Sequence, residues 1–223
     1  RKRVTESVIS EKLLEKGLLD EILLRITALM DVKSSMGVIV AAPTAGSCGV
    51  VPGAVLGSGD YLNLGRKEKV RAMLAAGIIG VLIAERSTFA AEEAGCQAEC
   101  GYGSAMAAAA LVCMGGGTAA ISVNAASMAL QNVMGMTCDP VANRVEVPCL
   151  GKNLMAGANA LTCAKICLAG YDPVIPFDEV LAAADSAGRS LPRELRCTAL
   201  GGLSVTPTSL EIEKKLQQRH KRK

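Results

Sequence analysis

Two long stretches of the chain carry no charged side chain, residues 34–59 and residues 100–138. Either is long enough to cross a membrane as a helix. Both, however, consist mainly of Gly, Ala, Ser and Thr, include Pro43, Pro52, Asn124 and Asn132, and lack the Leu, Ile and Phe runs that insert favourably into lipid. We therefore expect buried helices in the core of a soluble domain, and no membrane partner.

The rest of the pattern predicts an all-α fold, a single compact Ala/Gly-rich helical domain with buried central helices and loop-borne cysteines. Helices are predicted over about 20–32, 66–84, 104–114, 118–134, 153–169 and 178–188 and from 209 onward, with Asp20, Asp178 and Ser209 as N-caps. The helix over 66–84 opens charged and becomes wholly apolar, so we expect it to enter the core end-on. One short strand is predicted around Val145 and Val147.

Charge and composition exclude several classes of function. The net charge of +3 comes from the two ends, because residues 4–213 carry 15 basic side chains against 21 acidic ones. With aromatic side chains at only 2%, neither a basic nucleic-acid face nor a base-stacking module is expected. The odd number of cysteines, nine, and the absence of a signal peptide favour the reducing cytoplasm. Since the sequence starts without Met, we expect a fragment or a processed chain.

The single histidine, His220, lies in a basic run at the C-terminus. A Ser-His-Asp or Cys-His mechanism, or a zinc site built from several histidines, therefore cannot be formed within this chain.

Cysteine is the residue in surplus, and three irregular segments carry the most interesting ones: residues 41–49, 95–100 and 136–153. Cys138 and Cys149 flank one tight excursion, and Cys96 lies 42 residues before Cys138. Three thiolates from loop ends could hold an iron–sulfur cluster and leave one iron open as a Lewis acid. The spacing alone is a weak signal, since buried cysteines also serve as small apolar residues. That alternative is favoured for Cys113, Cys163 and Cys167.

Four segments in register resemble the catalytic alpha chain of iron–sulfur-dependent L-serine dehydratase, also called L-serine ammonia-lyase. They are APTAGSCGVVPGAVL, GCQAEC, MTCDPVANRVEVPCLGKN and CTALGGLSVTPT. The resemblance implies a catalytic domain over 34–208, preceded by a helical lead-in (1–33) and followed by a polar, basic tail (209–223). It also implies a 4Fe–4S cluster held by Cys96, Cys138 and Cys149, no pyridoxal phosphate, and a separate beta chain as partner. A homo-oligomer is left open.

The implied reaction is an elimination. The open iron would bind the hydroxyl and carboxylate of L-serine, and a base would remove the α-proton. The aminoacrylate product would become an imine and hydrolyse to pyruvate and ammonia. Lys152 is a candidate for the base only if burial or a charged neighbour lowers its pKa. Otherwise the base comes from the partner chain or from a segment outside this sequence.

The segment around Thr44, Ala45, Gly46 and Ser47 is a candidate site for the substrate carboxylate, because hydroxyl and backbone N–H groups suit an anion. An ordinary turn is the alternative. Asn153 is predicted to cap the helix after Cys149, with a substrate contact as the second interpretation.

Three rival functions remain. The first is an L-cysteine desulfidase-type β-elimination on the same scaffold. The second is a non-catalytic iron–sulfur or zinc-binding helical protein with four protein ligands. The third is a helical interaction module whose cysteines are inert.

Overall fold

The computed structural model describes residues 17–220, and these residues form nine α-helices. The helices are α1 Leu18–Ser34, α2 Val50–Tyr61, α3 Arg66–Arg86, α4 Ala91–Ala94, α5 Cys100–Met114, α6 Ala119–Gln131, α7 Cys149–Leu168, α8 Phe177–Ser190 and α9 Pro207–His220. Short 3₁₀ turns cover Cys96–Ala98, Val141–Asn143, Arg193–Leu195 and Gly202–Val205. The only β-type pairing among these residues is an isolated bridge between Cys138 and Arg196. The predicted all-α fold is confirmed.

Helix α5 is the centre of the structure. Every residue from Cys100 to Val112 is buried, and α2, α3, α6 and α7 pack around this helix. Small side chains let four neighbours approach it, which is why a run of alanine and glycine occupies this position. The helix begins at Cys100 and not at Ser104, so the second cysteine of GCQAEC lies within it.

Helix α2 lies mostly in the uncharged stretch 34–59, where a buried helix was expected but no helix bounds were predicted. Its proline, Pro52, is in the first turn, where the helix requires no N–H donor. Its glycines serve packing, because a Cβ added at Gly57 would lie only 2.8 Å from the backbone of Glu21 in α1. Glycine and proline residues usually suggest a loop when only the sequence is known. In α2 they instead allow two helices to cross closely.

Helix α3 does not enter the core end-on, so that prediction is wrong. One face, which includes Ala72, Ala76 and Ile83, is buried along α5. On the other side Leu74 and Ile78 are each 64% exposed. The middle of the helix is apolar on all sides. Because the helix lies along the surface of the domain, only the side that faces α5 is covered.

The predicted N-caps are also corrected. Helix α1 starts at Leu18 with Gly17 in the capping position, and the Asp20 carboxylate accepts a hydrogen bond from the Gly17 N–H at 2.8 Å. Asp178 lies in the first turn of α8, and Ser209 lies inside α9. In α8, Pro176 occupies the capping position and supplies no side-chain cap. In α9, which starts at Pro207, the hydroxyl of the preceding Thr206 accepts a hydrogen bond from the Ser209 N–H at 3.4 Å.

The strand predicted around Val145 and Val147 is absent. These residues form a turn in which the Val141 N–H donates to the Val147 carbonyl at 2.9 Å. The backbone closes on itself instead of pairing with a neighbouring strand, so alternating valines alone were insufficient. Among the described residues, no helix has the length and apolar character needed to span a membrane.

Candidate active site

The GCQ segment is held in place by Gln97, which is fully buried. Its side-chain amide donates to the Ala184 carbonyl of α8, and its amide oxygen accepts from the Gly135 N–H at 2.8 Å. The Gln97 N–H donates to the Met136 carbonyl at 3.3 Å. These bonds fix the loop that carries Cys96 against the start of the loop that carries Cys138.

The TCDPV segment is anchored by Asp139, a carboxylate that is only 7% exposed. One of its oxygens accepts from the Lys152 ammonium at 3.0 Å, and the other accepts from the Leu203 N–H at 2.9 Å. Next to it, the Cys138 carbonyl accepts from the Cys197 N–H at 2.8 Å. A single carboxylate thus joins the Cys138 loop to α7 and to the C-terminal TALGGL segment.

Cys149 is the first residue of α7, directly after Pro148, and Asn153 lies one turn further on. Asn153 does not cap the helix, so that prediction is wrong. Its side chain is fully buried, donates to the carbonyls of Gly46 and Cys149, each at 2.8 Å, and accepts from the Gly49 N–H at 3.2 Å. Asn153 therefore ties the APTAGSCG loop to the start of α7.

The APTAGSCG loop turns so that it faces Glu99. Thr44 and Ser47 bond to each other through their hydroxyls at 3.0 Å, and the Thr44 hydroxyl donates to a Glu99 carboxylate oxygen at 2.7 Å. A Cβ added at Gly46 would collide with both Glu99 oxygens, so a larger residue there would displace the Glu99 carboxylate. Within the described residues the N–H groups of Ala45 and Gly46 donate to no protein acceptor.

These segments surround one cavity of about 190 Å³. Its lining includes Gly46, Glu99, Cys138, Cys149 and Cys197. A larger cavity of about 380 Å³ lies elsewhere, between α3, α6 and α8, and no cysteine lines it. Because it holds neither thiols nor any of the motif segments, we place the candidate active site in the smaller cavity.

Cys96 lies behind this lining and is connected to it through Cys138. Hydrogen bonding with the thiols of Cys100 and Cys138 holds the pKa of Cys96 well below its usual range. The pKa of Cys138 is raised by its hydrogen bonds with Cys197 and Cys96. Burial raises the pKa of Cys149 to about 11. The structure thus brings Cys96, Cys138 and Cys149 to one region.

Five other cysteines lie away from the cavity lining. Cys100 is buried in the first turn of α5. Cys163 and Cys167 are buried on α7, Cys48 is buried against Met30, and Cys113 is half-buried near the end of α5. Among residues 17–220, no three His, Cys, Asp or Glu side chains converge as ligands of a single metal ion.

Two charged groups face the thiols. Burial raises the pKa of Glu99, the effect of the hydrogen bond from Thr44 being smaller. Lys152 qualifies as a candidate base only if its pKa is lowered. Burial acts in that direction, but the nearby Cys96 and the bond to Asp139 outweigh it, and the net pKa of Lys152 is raised.

Two residues of the cavity were missed in the sequence, Glu99 and Cys197. Glu99 had a detectable signal, because it is the last charged residue before the uncharged run over 100–138, at the mouth of a wholly buried helix. Cys197 begins the CTALGGLSVTPT segment, but the local sequence did not place that segment at the cavity. The bridge to Cys138 brings it there.

Comparisons with known proteins identify the family of the chain. A family model described as "Serine dehydratase alpha chain" matches residues 2–204. The probable L-serine dehydratase alpha chain of Bacillus subtilis (strain 168) is 43% identical over 207 residues, which cover 93% of this chain and 69% of the relative. The corresponding protein of Latilactobacillus sakei is 45% identical over 186 residues, covering 83% and 89%.

A third relative, the L-serine dehydratase alpha chain of Peptoniphilus asaccharolyticus, is 45% identical over 184 residues, which cover 82% of this chain and 63% of that one. The residues that align include all the segments around the cavity, since the family model spans 2–204 without a break. The chain belongs to the serine dehydratase alpha chain family.

Proposed function

We propose that this chain converts L-serine to pyruvate and ammonia, with a 4Fe–4S cluster on Cys96, Cys138 and Cys149, in the cytoplasm and together with a separate beta chain. The observation that carries the proposal is that three cysteines from two segments, residues 95–100 and 136–153, come together at one cavity. Cys138 and Cys149 line it, and interaction with Cys138 contributes to the lowered pKa of the buried Cys96. The names of the relatives supply the substrate.

The thiols fit an iron–sulfur cluster better than a single metal ion. In a cluster each cysteine binds a different iron, so the sulfurs need not converge on one point. This agrees with the absence of a single-ion group among the described residues. When bound, the cluster supplies a Lewis-acidic iron that makes hydroxide a better leaving group.

The loop over residues 44–47 is proposed to bind the carboxylate of the substrate. Its two N–H groups, at Ala45 and Gly46, have no protein acceptor within the described residues, and Gly46 lines the cavity. Successive N–H groups in a turn form a concave anion site. Asn153 would act through this loop as a positioning residue, because its amide bonds the loop to α7.

Glu99 is proposed to take the α-proton. It lines the cavity, and burial raises its pKa toward the range in which a carboxylate is an effective base at neutral pH. The Thr44 hydroxyl fixes one of its oxygens and leaves the other free to accept the proton. Lys152, which was the candidate from sequence, would instead hold Asp139 and the Cys138 loop in position.

The test is anaerobic cluster reconstitution of the chain together with its beta chain, followed by a pyruvate assay on L-serine. We expect visible absorption from the cluster and pyruvate release, both lost in Cys138→Ser and both kept in Cys167→Ser, a buried cysteine outside the cavity. A colourless wild-type complex that makes no pyruvate would contradict the proposal.

The same assay separates the rival functions. Faster release of sulfide from L-cysteine than of pyruvate from L-serine would favour the desulfidase. Metal bound without turnover of either amino acid would favour a non-catalytic metal protein. If Cys138→Ser changed neither colour nor activity, the cysteines would be inert packing residues.

A further inference from the structure

The outer face of α3 is a regular apolar surface that the described fold leaves uncovered. Val70, Leu74, Ile78 and Val81 are 48%, 64%, 64% and 58% exposed and lie on one side of the helix. No charged residue occurs between Arg71 and Glu85. A helix that is apolar on all sides is normally covered on all sides. We call these four residues the outer stripe.

The residues of the outer stripe and those beside it are arranged almost symmetrically about the middle of the helix. Three rows of residues run along this face, and each is centred near positions 77 and 78. The rows are Arg71, Ile78 and Glu85 on one edge, Leu74 and Val81 in the middle, and Val70, Gly77 and Ala84 on the other edge. When two copies of a helix pair antiparallel about a two-fold axis, each edge meets the same edge of the other copy in reverse order. The outer stripe of one copy is therefore complementary to the outer stripe of a second copy.

We propose that α3 pairs antiparallel with α3 of a second copy of this chain, about a two-fold axis near Gly77 and Ile78. In this pairing Arg71 lies opposite Glu85 of the second copy, and the symmetry forms the contact twice. Both side chains are exposed, and within residues 17–220 neither forms an ion pair. At the centre, Gly77 has no Cβ and has open space above it, so the two backbones can approach closely.

The symmetry favours a second copy over a partner of different sequence. A surface for an unrelated chain has no reason to place opposite charges at equal distances from its centre. None of the residues 66–86 lines the cysteine cavity, so the pairing leaves that cavity accessible. The dimer is therefore independent of cluster binding and of the proposed reaction.

The test is sedimentation of the purified chain over a wide range of concentration. We expect a dimer for the wild type and a monomer for Ile78→Glu, which buries a charge at the centre. Arg71→Glu and Glu85→Arg each place like charges opposite one another and should raise the dissociation constant about tenfold. The double variant Arg71→Glu/Glu85→Arg restores opposite charges and should return to the wild-type value.

Val38→Glu is the matched control, because Val38 is an exposed apolar residue, 96% accessible, outside α3. It should remain dimeric. A wild type that is monomeric at every concentration would overturn the proposal. So would a double variant as weak as the single ones, or a stripe substitution that leaves the mass unchanged and weakens only the complex with the beta chain.

Discussion

The two ends of α7 use the same residue type in opposite ways. Cys149, the first residue of the helix, lines the cavity beside Glu99 and Cys138. Cys163, four turns later, is fully buried, and its thiol lies 3.4 Å from the Asn132 amide and 3.6 Å from Asn159. Burial raises the pKa of Cys163 to about 12, so it keeps its proton.

The difference indicates that the place of a cysteine relative to the loops, and not its burial, separates the proposed ligands from packing residues. Cys149 and Cys163 are both buried, and neither is an easily ionised thiol by itself. Only the helix start meets the other two motif loops, because Asn153 ties it to one and Lys152 ties it to the other through Asp139. The far end of the helix instead packs beside Asn132 at the end of α6 and, through Leu168, against the glycine turn that follows α5.

The largest contrast is expected from alanine substitution at the two ends. After anaerobic reconstitution, Cys149→Ala should bind at least about tenfold less iron and acid-labile sulfide than the wild type, because a ligand is lost. Cys163→Ala should keep the wild-type content and lose only about 1 kcal/mol of stability from the small void. Iron and sulfide analysis, with chemical unfolding, measures both. Equal iron in the two variants would break the comparison.

Next in size is the loss of the amide that joins the helix start to the loop. Asn153→Ala leaves the Gly49 N–H and the carbonyls of Gly46 and Cys149 without this partner in a dry environment. We expect unfolding in denaturant to show a loss of about 2–4 kcal/mol. Asn132→Ala, which removes a bond at the exposed side of the far end, should cost about 0.5–1 kcal/mol. If the two variants lost similar amounts of stability, the Asn153 bonds would stabilise the start of the helix no more than the Asn132 bond stabilises its far end.

The sequence sufficed for the helical class and for the segments that form the site, because alanine-rich periodicity and the motif loops are local signals. It did not suffice for α2, where Pro52 and Gly57 look like loop residues until the neighbouring helix is known. Nor could it assign the role of Asn153, which looks like a helix cap in the sequence. In the structure its amide bonds to the Gly46 carbonyl, 107 residues earlier in the chain. The position of Cys197 depends on a contact between distant segments of the chain. The local sequence pattern does not predict such contacts.

A smaller, pH-dependent effect is expected at Glu99. Its pKa is raised in the folded chain, so the folded state binds this proton more tightly than the unfolded state does. The stability of the cluster-free wild type should therefore fall as pH rises from the usual glutamate pKa through the raised one. Glu99→Gln does not have this loss of stability. As pH rises over the same range, the unfolding free energy of the variant should therefore increase relative to that of the wild type. Chemical unfolding at several pH values measures the difference.

The control for this effect is Glu92→Gln, an exposed carboxylate at the rim of the same cavity, which should follow the wild-type pH profile. A Glu99→Gln variant whose difference from the wild type does not change with pH would mean that Glu99 is not the buried carboxylate described here. In the complex with the beta chain, the same substitution should lower kcat for L-serine without loss of iron, since Glu99 is proposed to move a proton and not to hold the cluster.

The smallest effect is expected at Cys197, which lies between the two classes of cysteine. It lines the cavity and bonds to Cys138, yet it is only half-buried and its backbone is in the left-handed region, with φ of 59°. If Cys96, Cys138 and Cys149 hold the cluster, Cys197→Ser should keep the wild-type iron and sulfide content after reconstitution. If iron instead fell as far as in Cys149→Ala, the cavity would have four ligands and no iron free for a substrate. Iron analysis of these two variants side by side therefore decides whether the site is a closed centre or a catalytic one.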